Sequence, residues 1–174
     1  MIAIRNIERS EAANHADELA DIWKKTFQDA YGDVFTPEAI KAYGDEHHTL
    51  EEAERWLTMP GTRAAMAERD GEVVGFYIVR YVECPVFLPA ASAELKQIYV
   101  RASEFGQGTA HELFEHARAR IKGTGRGWMW LFVADFNNRA KRFYEKLDFA
   151  RIGPGPAHTV GAEKLPCSLL ARCL

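Results

Sequence analysis

Cysteine is scarce in this chain: three in 174 residues, Cys84, Cys167 and Cys173, with no C-x-x-C pair. That count and spacing speak against a disulfide framework and a thiolate zinc site, and predict a reducing, cytoplasmic setting. Basic charge is not in surplus either. With 22 Lys and Arg against 25 Asp and Glu, the formal net charge is −3, so no electrostatic footprint for nucleic acid is present. No apolar run approaches the ~20 residues of a membrane span. The opening stretch, Met1 to Ala13, is charged by Arg5 and lacks the apolar segment of a secretory leader. Repeats, low-complexity tracts and long Pro/Gly/Ser linkers are missing too, so one domain over residues 1–174 is expected. What remains is the balance of an ordinary globular protein, 47% hydrophobic and 27% charged.

The first third reads as a short strand followed by helices. Ile2 to Ile7 is β-prone. From Glu11 to Tyr31, Leu19, Ile22, Trp23, Phe27, Ala30 and Tyr31 recur at helical spacing. Thr36-Pro37 predicts an N-cap with proline in the first turn, opening a helix that stops near Gly44. Thr49-Leu50-Glu51-Glu52 has the capping-box pattern, and its helix ends before Pro60-Gly61. The middle changes character. Arg63 to Arg69 and Glu72 to Val82 flank Asp70-Gly71, a two-residue hairpin signal. Cys84 to Ala90, with two prolines, predicts a loop, and Ala93 to Val100 another strand. A helix with the stripe Leu113, Phe114, Ala117 and Ile121 follows, then a glycine-rich connector from Gly123 to Gly127. Next come the strand Trp128 to Ala134 and a helix over Asn138 to Leu147, with Ala140, Phe143 and Leu147 inward. The tail from Leu165 to Leu174 supplies a final strand. The predicted order is β-α-α-α-β-β-β-α-β-α-β-β, an α/β fold around one sheet.

Chemistry concentrates between Glu94 and Gly153. The run Gly106-Gln107-Gly108-Thr109-Ala110 joins a strand to a helix. Backbone N–H groups at a helix start lack partners and sit at the positive end of the dipole, which suits a pyrophosphate. Glycines there leave the backbone open to approach. A turn that merely rounds a corner would carry the same residues. The second block, Asn137, Ala140, Phe143-Tyr144-Glu145-Lys146 and Asp148-Phe149, spells N-x-x-A-x-x-F-Y-E-K-x-x-F. Together with Ile98-Tyr99-Val100 and the glycine turn, this pattern resembles the GNAT acetyltransferase superfamily. A looser similarity runs to the bacterial PaiA-like polyamine acetyltransferases, through Trp23, Phe27 and Ala42-Tyr43.

The resemblance implies a single GNAT-like domain, α/β, with a central mixed, mostly antiparallel sheet flanked by helices. It implies an acetyl-CoA-dependent N-acetyltransferase that acts in a ternary complex. Acetyl-CoA would be a co-substrate, with no metal. Cofactor contacts would come from Ile98, Tyr99, Val100, Gly106, Gln107, Gly108, Thr109, Ala110, Asn137 and Tyr144. The pantetheine arm would lie where the strand through Leu95 to Val100 splays from Trp128 to Val133. Tyr144 would be the general acid, since a phenol of pKa ~10 stays protonated at neutral pH; the other reading makes it a rim aromatic. Asn137 would touch CoA, cap the last helix, or both. The base would be Glu94, with Asp135 as rival, because an alkylammonium of pKa ~10.4 must first lose a proton. The pattern breaks at Phe105, where the family carries Gln or Arg supporting the pyrophosphate loop; Arg101 and Arg139 are the candidate substitutes.

The acceptor is expected to be a small-molecule primary amine, with no nucleic-acid or membrane partner, and a homodimer is the candidate assembly. Asp45, Glu46, Glu51, Glu52 and Glu83 would suit a polyamine, or form only a charged surface. Two other functions stay open: a non-catalytic acyl-CoA-binding regulatory module, and an acetyltransferase for protein N-termini or lysines. His111 and His116 mimic a zinc-protease motif, but their i, i+5 spacing sets them about 140° apart on a helix, so no metal is expected. His47-His48 reads as a polar loop pair. Trp128 and Trp130 share one strand face and read as core.

Overall fold

The computed structural model describes residues 1–161 and 163–174. Its elements are β1 (Ala3–Ile7), α1 (Ala12–Tyr31), α2 (Pro37–His47), α3 (Leu50–Thr58), β2 (Thr62–Arg69), β3 (Glu72–Arg80), β4 (Ser92–Val100), α4 (Thr109–Lys122), β5 (Trp128–Ala134), α5 (Asn138–Lys146), β6 (Ala150–Val160) and β7 (Glu163–Cys173). Short 3-10 turns stand at Arg9–Glu11 and Ala102–Glu104. The order is the one expected. Both helix-start signals work as read: Thr36 accepts from the Ala39 amide at 3.3 Å, and Thr49 from the Glu52 amide at 3.1 Å.

Seven strands form one sheet in the order β1-β2-β3-β4-β5-β7-β6. β4 and β5 run parallel; every other neighbouring pair is antiparallel. Asp70 (φ 53°) and Gly71 (φ 84°) make the β2–β3 turn with two left-handed residues, the geometry whose twist matches a hairpin. β6 holds Pro154 and Pro156, yet it is a strand. It lies at the sheet edge, where a missing N–H need not break a ladder, and its register slips near both prolines.

The period of two sorts residues between two cores. Ala64, Met66, Phe76 and Ile78 pack under α1 and α3 with Leu19, Ile22, Trp23 and Leu57. Ala65, Ala67, Tyr77 and Val79 pack on the other face with Leu113, Phe114, Ala117 and Ile121 of α4. Trp130 is buried and Trp128 packs beside it, as expected of core. His48 departs from the expectation of a polar loop residue. It is 2% exposed, and its ring stacks on Trp23 with centroids 4.7 Å apart. Burial, followed by the charges of His47, Lys24 and His158, lowers its pKa to about 3, so it is neutral. Apolar packing on Trp23 decided its position.

The sheet is split at its centre. β4 and β5 pair only at Ser92↔Trp128, Ala93↔Met129 and Glu94↔Trp130. Beyond Glu94 the strands part, while β5 stays paired with β7 along its length. On the other side of β4, Ile78 pairs with Gln97 but Val79 with Leu95, so Lys96 is a bulge residue. Such a bulge bends its strand and increases local twist, which accounts for the divergence at this point. No helix among the described residues is long and apolar enough to cross a membrane.

Candidate active site

The gap between β4 and β5 opens into a cavity of about 360 Å³. Ile98, Tyr99 and Val100 line one wall and Phe132, Val133 and Ala134 the other. The glycine turn closes one end through Gly106, Gly108 and Ala110, and α5 contributes Asn137, Arg139 and Tyr144. β3 takes one edge of β4, and from Leu95 onward nothing in β5 takes the other.

The turn is built to hold an anion. Gly106 (φ 77°) and Gly108 (φ 88°) are left-handed, and a Cβ at either would project into open space. Glycine is therefore required here by conformation, not by crowding. The amides of Gly106, Gly108, Thr109 and Ala110 have no protein acceptor among the described residues, whereas Gln107 N–H donates to the Glu104 carbonyl at 3.1 Å. Four free donors thus cluster at the start of the 14-residue helix α4.

Thr109 is fully buried and its hydroxyl donates to the Glu104 carboxylate, so it braces the turn from behind while Gly106, Gly108 and Ala110 line the cavity. Glu104 is itself 5% exposed and receives two bonds from Arg69, at 3.0 and 2.9 Å. Those bonds, outweighing desolvation, hold its carboxyl below the usual range. The negative charge beside the turn is thus neutralised internally. Of the two arginines considered as substitutes at Phe105, Arg101 is committed to Asp29 at 2.6 Å. Arg139 is not: its guanidinium stacks 3.8 Å over the Phe105 ring, lines the cavity and has no carboxylate partner among the described residues.

Tyr144 is buried but borders the cavity. Burial, with a smaller contribution from Tyr31, pushes its phenol well above the ordinary value of 10.0. Tyr99 is raised likewise, by burial first and then by Tyr31, whose hydroxyl lies 3.3 Å from its own. Asn137 caps α5 by accepting from the Ala140 amide at 3.0 Å, and its amide donates to the Tyr31 hydroxyl at 3.5 Å. The structure therefore gathers Tyr31, Tyr99, Asn137 and Tyr144 at one end of the gap. In sequence Tyr31 belongs to a helical apolar stripe, and its functional neighbourhood exists only after α1 docks. Lys96 and Gln97 also line the cavity. A lysine inside a central strand was the signal for the first of these, since such positions are normally apolar.

Neither candidate base lines the cavity. Glu94 is 3% exposed, accepts from Arg80 at 3.0 Å and lies 3.7 Å from the Lys96 ammonium. Asp135 accepts from the Ser168 hydroxyl at 2.6 Å. The five carboxylates considered for a polyamine are absent from the lining as well. Asp45 pairs with Lys41, Glu52 with Arg55, and Glu83 takes Ser92 at 2.9 Å. Among the described residues no group of three His, Cys, Asp or Glu is placed to hold a metal.

A seven-stranded sheet parted at its parallel pair, with free amides at one end of the gap and a buried phenol along it, defines an acyl-transfer scaffold. The model of the Acetyltransferase (GNAT) family matches residues 16–149, and the chain belongs to that family. It is an acyltransferase, and acetyl-CoA is its acyl donor. An uncharacterized N-acetyltransferase of Mycobacterium tuberculosis is 31% identical over 135 residues, covering 77% of this chain and 82% of the relative. The PaiA N-acetyltransferase of Thermoplasma acidophilum, solved with coenzyme A, shares the fold with a TM-score of 0.72 at 17% identity, over 100% of this chain and 99% of that one. The ribosomal-protein-S18-alanine N-acetyltransferase of Escherichia coli shares it at 0.63 and 19% identity, over 99% and 94%.

Proposed function

We propose that this protein transfers the acetyl group of acetyl-CoA to a small primary amine by direct attack, working as one domain in the cytoplasm. One observation carries the reading: Gly106, Gly108 and Ala110, whose amides have no protein acceptor among the described residues, line the same cavity as Tyr144. Acetyl-CoA supplies a thioester whose sulfur is the leaving group. Gly106, Gly108 and Ala110 hold its diphosphate through their N–H groups, with Thr109 fixing the turn behind them, Arg139 as the added cation and Asn137 assisting. The free edge of β4 from Ile98 to Val100 pairs with the amides of the pantetheine arm, as an open edge pairs with an added strand. An N–H of that edge faces the carbonyl oxygen as negative charge develops there.

The amine must reach the cavity without its extra proton. Glu94 takes that proton through solvent in our reading. Both candidates are engaged, Glu94 by Arg80 and Asp135 by Ser168, and Glu94 is preferred because it stands on β4, the strand whose free edge we assign to the thioester arm. The nitrogen attacks the carbonyl carbon, the C–S bond breaks, the Tyr144 hydroxyl gives its hydrogen to the sulfur, and the proton that the acylated nitrogen sheds passes through solvent to restore the phenol. Burial keeps the phenol protonated. The same low-dielectric surroundings raise the proton affinity of the departing thiolate, which favours transfer of the phenol's hydrogen to it.

The test is initial-rate kinetics by thiol release, with acetyl-CoA and an amine varied together. Intersecting double-reciprocal lines and amine-dependent release are expected. Parallel lines would overturn direct transfer, and coenzyme A binding without release for any amine would overturn the transferase reading.

A further inference from the structure

The acceptor side of β4 carries an arrangement that donor binding leaves unused. Lys96, the bulge residue, lines the cavity. Its ammonium lies 3.7 Å from Glu94 Oε1 and 5.7 Å from the centre of the Trp56 ring. Arg80 donates to Glu94 Oε2 at 3.0 Å, and its guanidinium stands 5.5 Å from the same ring. Arg55 is a third cation near that ring, at 5.3 Å, but Glu52 neutralises it. One buried carboxylate therefore faces two cations, and the cluster carries one uncompensated positive charge. Among the described residues the only carboxylate in the cavity lining is Glu104, which Arg69 and Thr109 consume. No lining carboxylate is left to receive a second ammonium.

A polyamine with several positive charges would be repelled here. An amine that also carries an anion would match the surplus cation at Lys96, whose side chain is 34% exposed and lines the cavity. Building on the acetyl-transfer reading, we propose that the acceptor is a small amine bearing a carboxylate, such as a free amino acid. Lys96 receives the carboxylate, Glu94 and Arg80 fix the lysine in place, and the Trp56 ring packs on the carbon chain.

Matched pairs test this: lysine against cadaverine, and ornithine against putrescine, with phosphoethanolamine as a phosphate-bearing arm. Thiol release gives kcat/KM, and calorimetry gives amine binding to the protein saturated with coenzyme A. The carboxylated member of each pair is expected to lead by about tenfold or more, the size of one charge-assisted contact. K96Q should bring the pair within about twofold of each other through KM, and K96R should restore the preference, while acetyl-CoA affinity stays at the parent value. Diamines equal to or better than the amino acids would overturn the proposal, as would K96Q lowering both members alike. A lead for phosphoethanolamine over both amino acids would overturn the carboxylate assignment. Should no amine release thiol, the transferase reading fails; carboxylate-dependent binding that K96Q removes would still support this acceptor site, and its absence would overturn it.

Discussion

Truncating Arg139 to alanine should weaken coenzyme A binding about tenfold while leaving the chemistry of the thioester untouched. The reasoning begins with charge. The pattern that resembles the family has Phe105 where a donor side chain is usual, and the structure sets the Arg139 guanidinium 3.8 Å over that ring. Stacking on an aromatic face costs the guanidinium none of its in-plane donors. A hydrogen bond from a cation to a phosphate is worth roughly 1.5–3 kcal/mol. Arg139 is exposed, so screening reduces this to about 1–2 kcal/mol, or roughly 5- to 30-fold in Kd. The assay is calorimetric titration of the parent and R139A with coenzyme A and with pantetheine, which lacks the diphosphate. Coenzyme A affinity should fall and pantetheine affinity should not. F105A should reproduce part of the loss by removing the platform, and the difference between parent and R139A should shrink with added salt. An R139A protein that binds coenzyme A at parent affinity would refute the reasoning, as would equal loss toward pantetheine.

Other outcomes follow from the same geometry. Y144F should lower kcat by about 10²-fold with little change in the KM of acetyl-CoA, measured by thiol release; turnover at the parent rate would remove Tyr144 from the mechanism. G75A should destabilise the fold by roughly 1–3 kcal/mol in denaturant titration, because its Cβ would stand 2.8 Å from the Tyr99 carbonyl on the neighbouring strand. His48 should make stability pH-dependent. Its folded pKa of about 3 lies below its ordinary 6.5, so between those values the unfolded chain binds the extra proton. Stability should then fall as pH drops from 6.5 toward 3, by roughly 1 kcal/mol per pH unit, with no contribution from this group above 6.5. H48F should flatten that part of the profile in urea titrations run across the range.

Local patterns determined a great deal about this protein. Thr36-Pro37, Thr49 with its glutamates, Asp70-Gly71 and the stripe from Leu113 to Ile121 each specify an element through contacts within a few residues, and each element formed, although the helix from Pro37 runs past Gly44 to His47 and the Glu52 carboxylate turns to Arg55 in place of the Thr49 amide. The Gly106–Ala110 turn was legible for the same reason, since left-handed backbone and helix-start donors are properties of adjacent residues. The tertiary structure decided what depends on distant partners. Where β4 leaves β5 follows from the Lys96 bulge and the pairing of β3. Arg139 is free while Arg101 is not, because α1 brings Asp29 to one and no acid to the other. Tyr31 joins Tyr99 and Asn137 only across 68 and 106 residues of chain. The charge beside Trp56 is likewise set by side chains from three separate elements. Such balances arise when segments pack, and no window of sequence contains them.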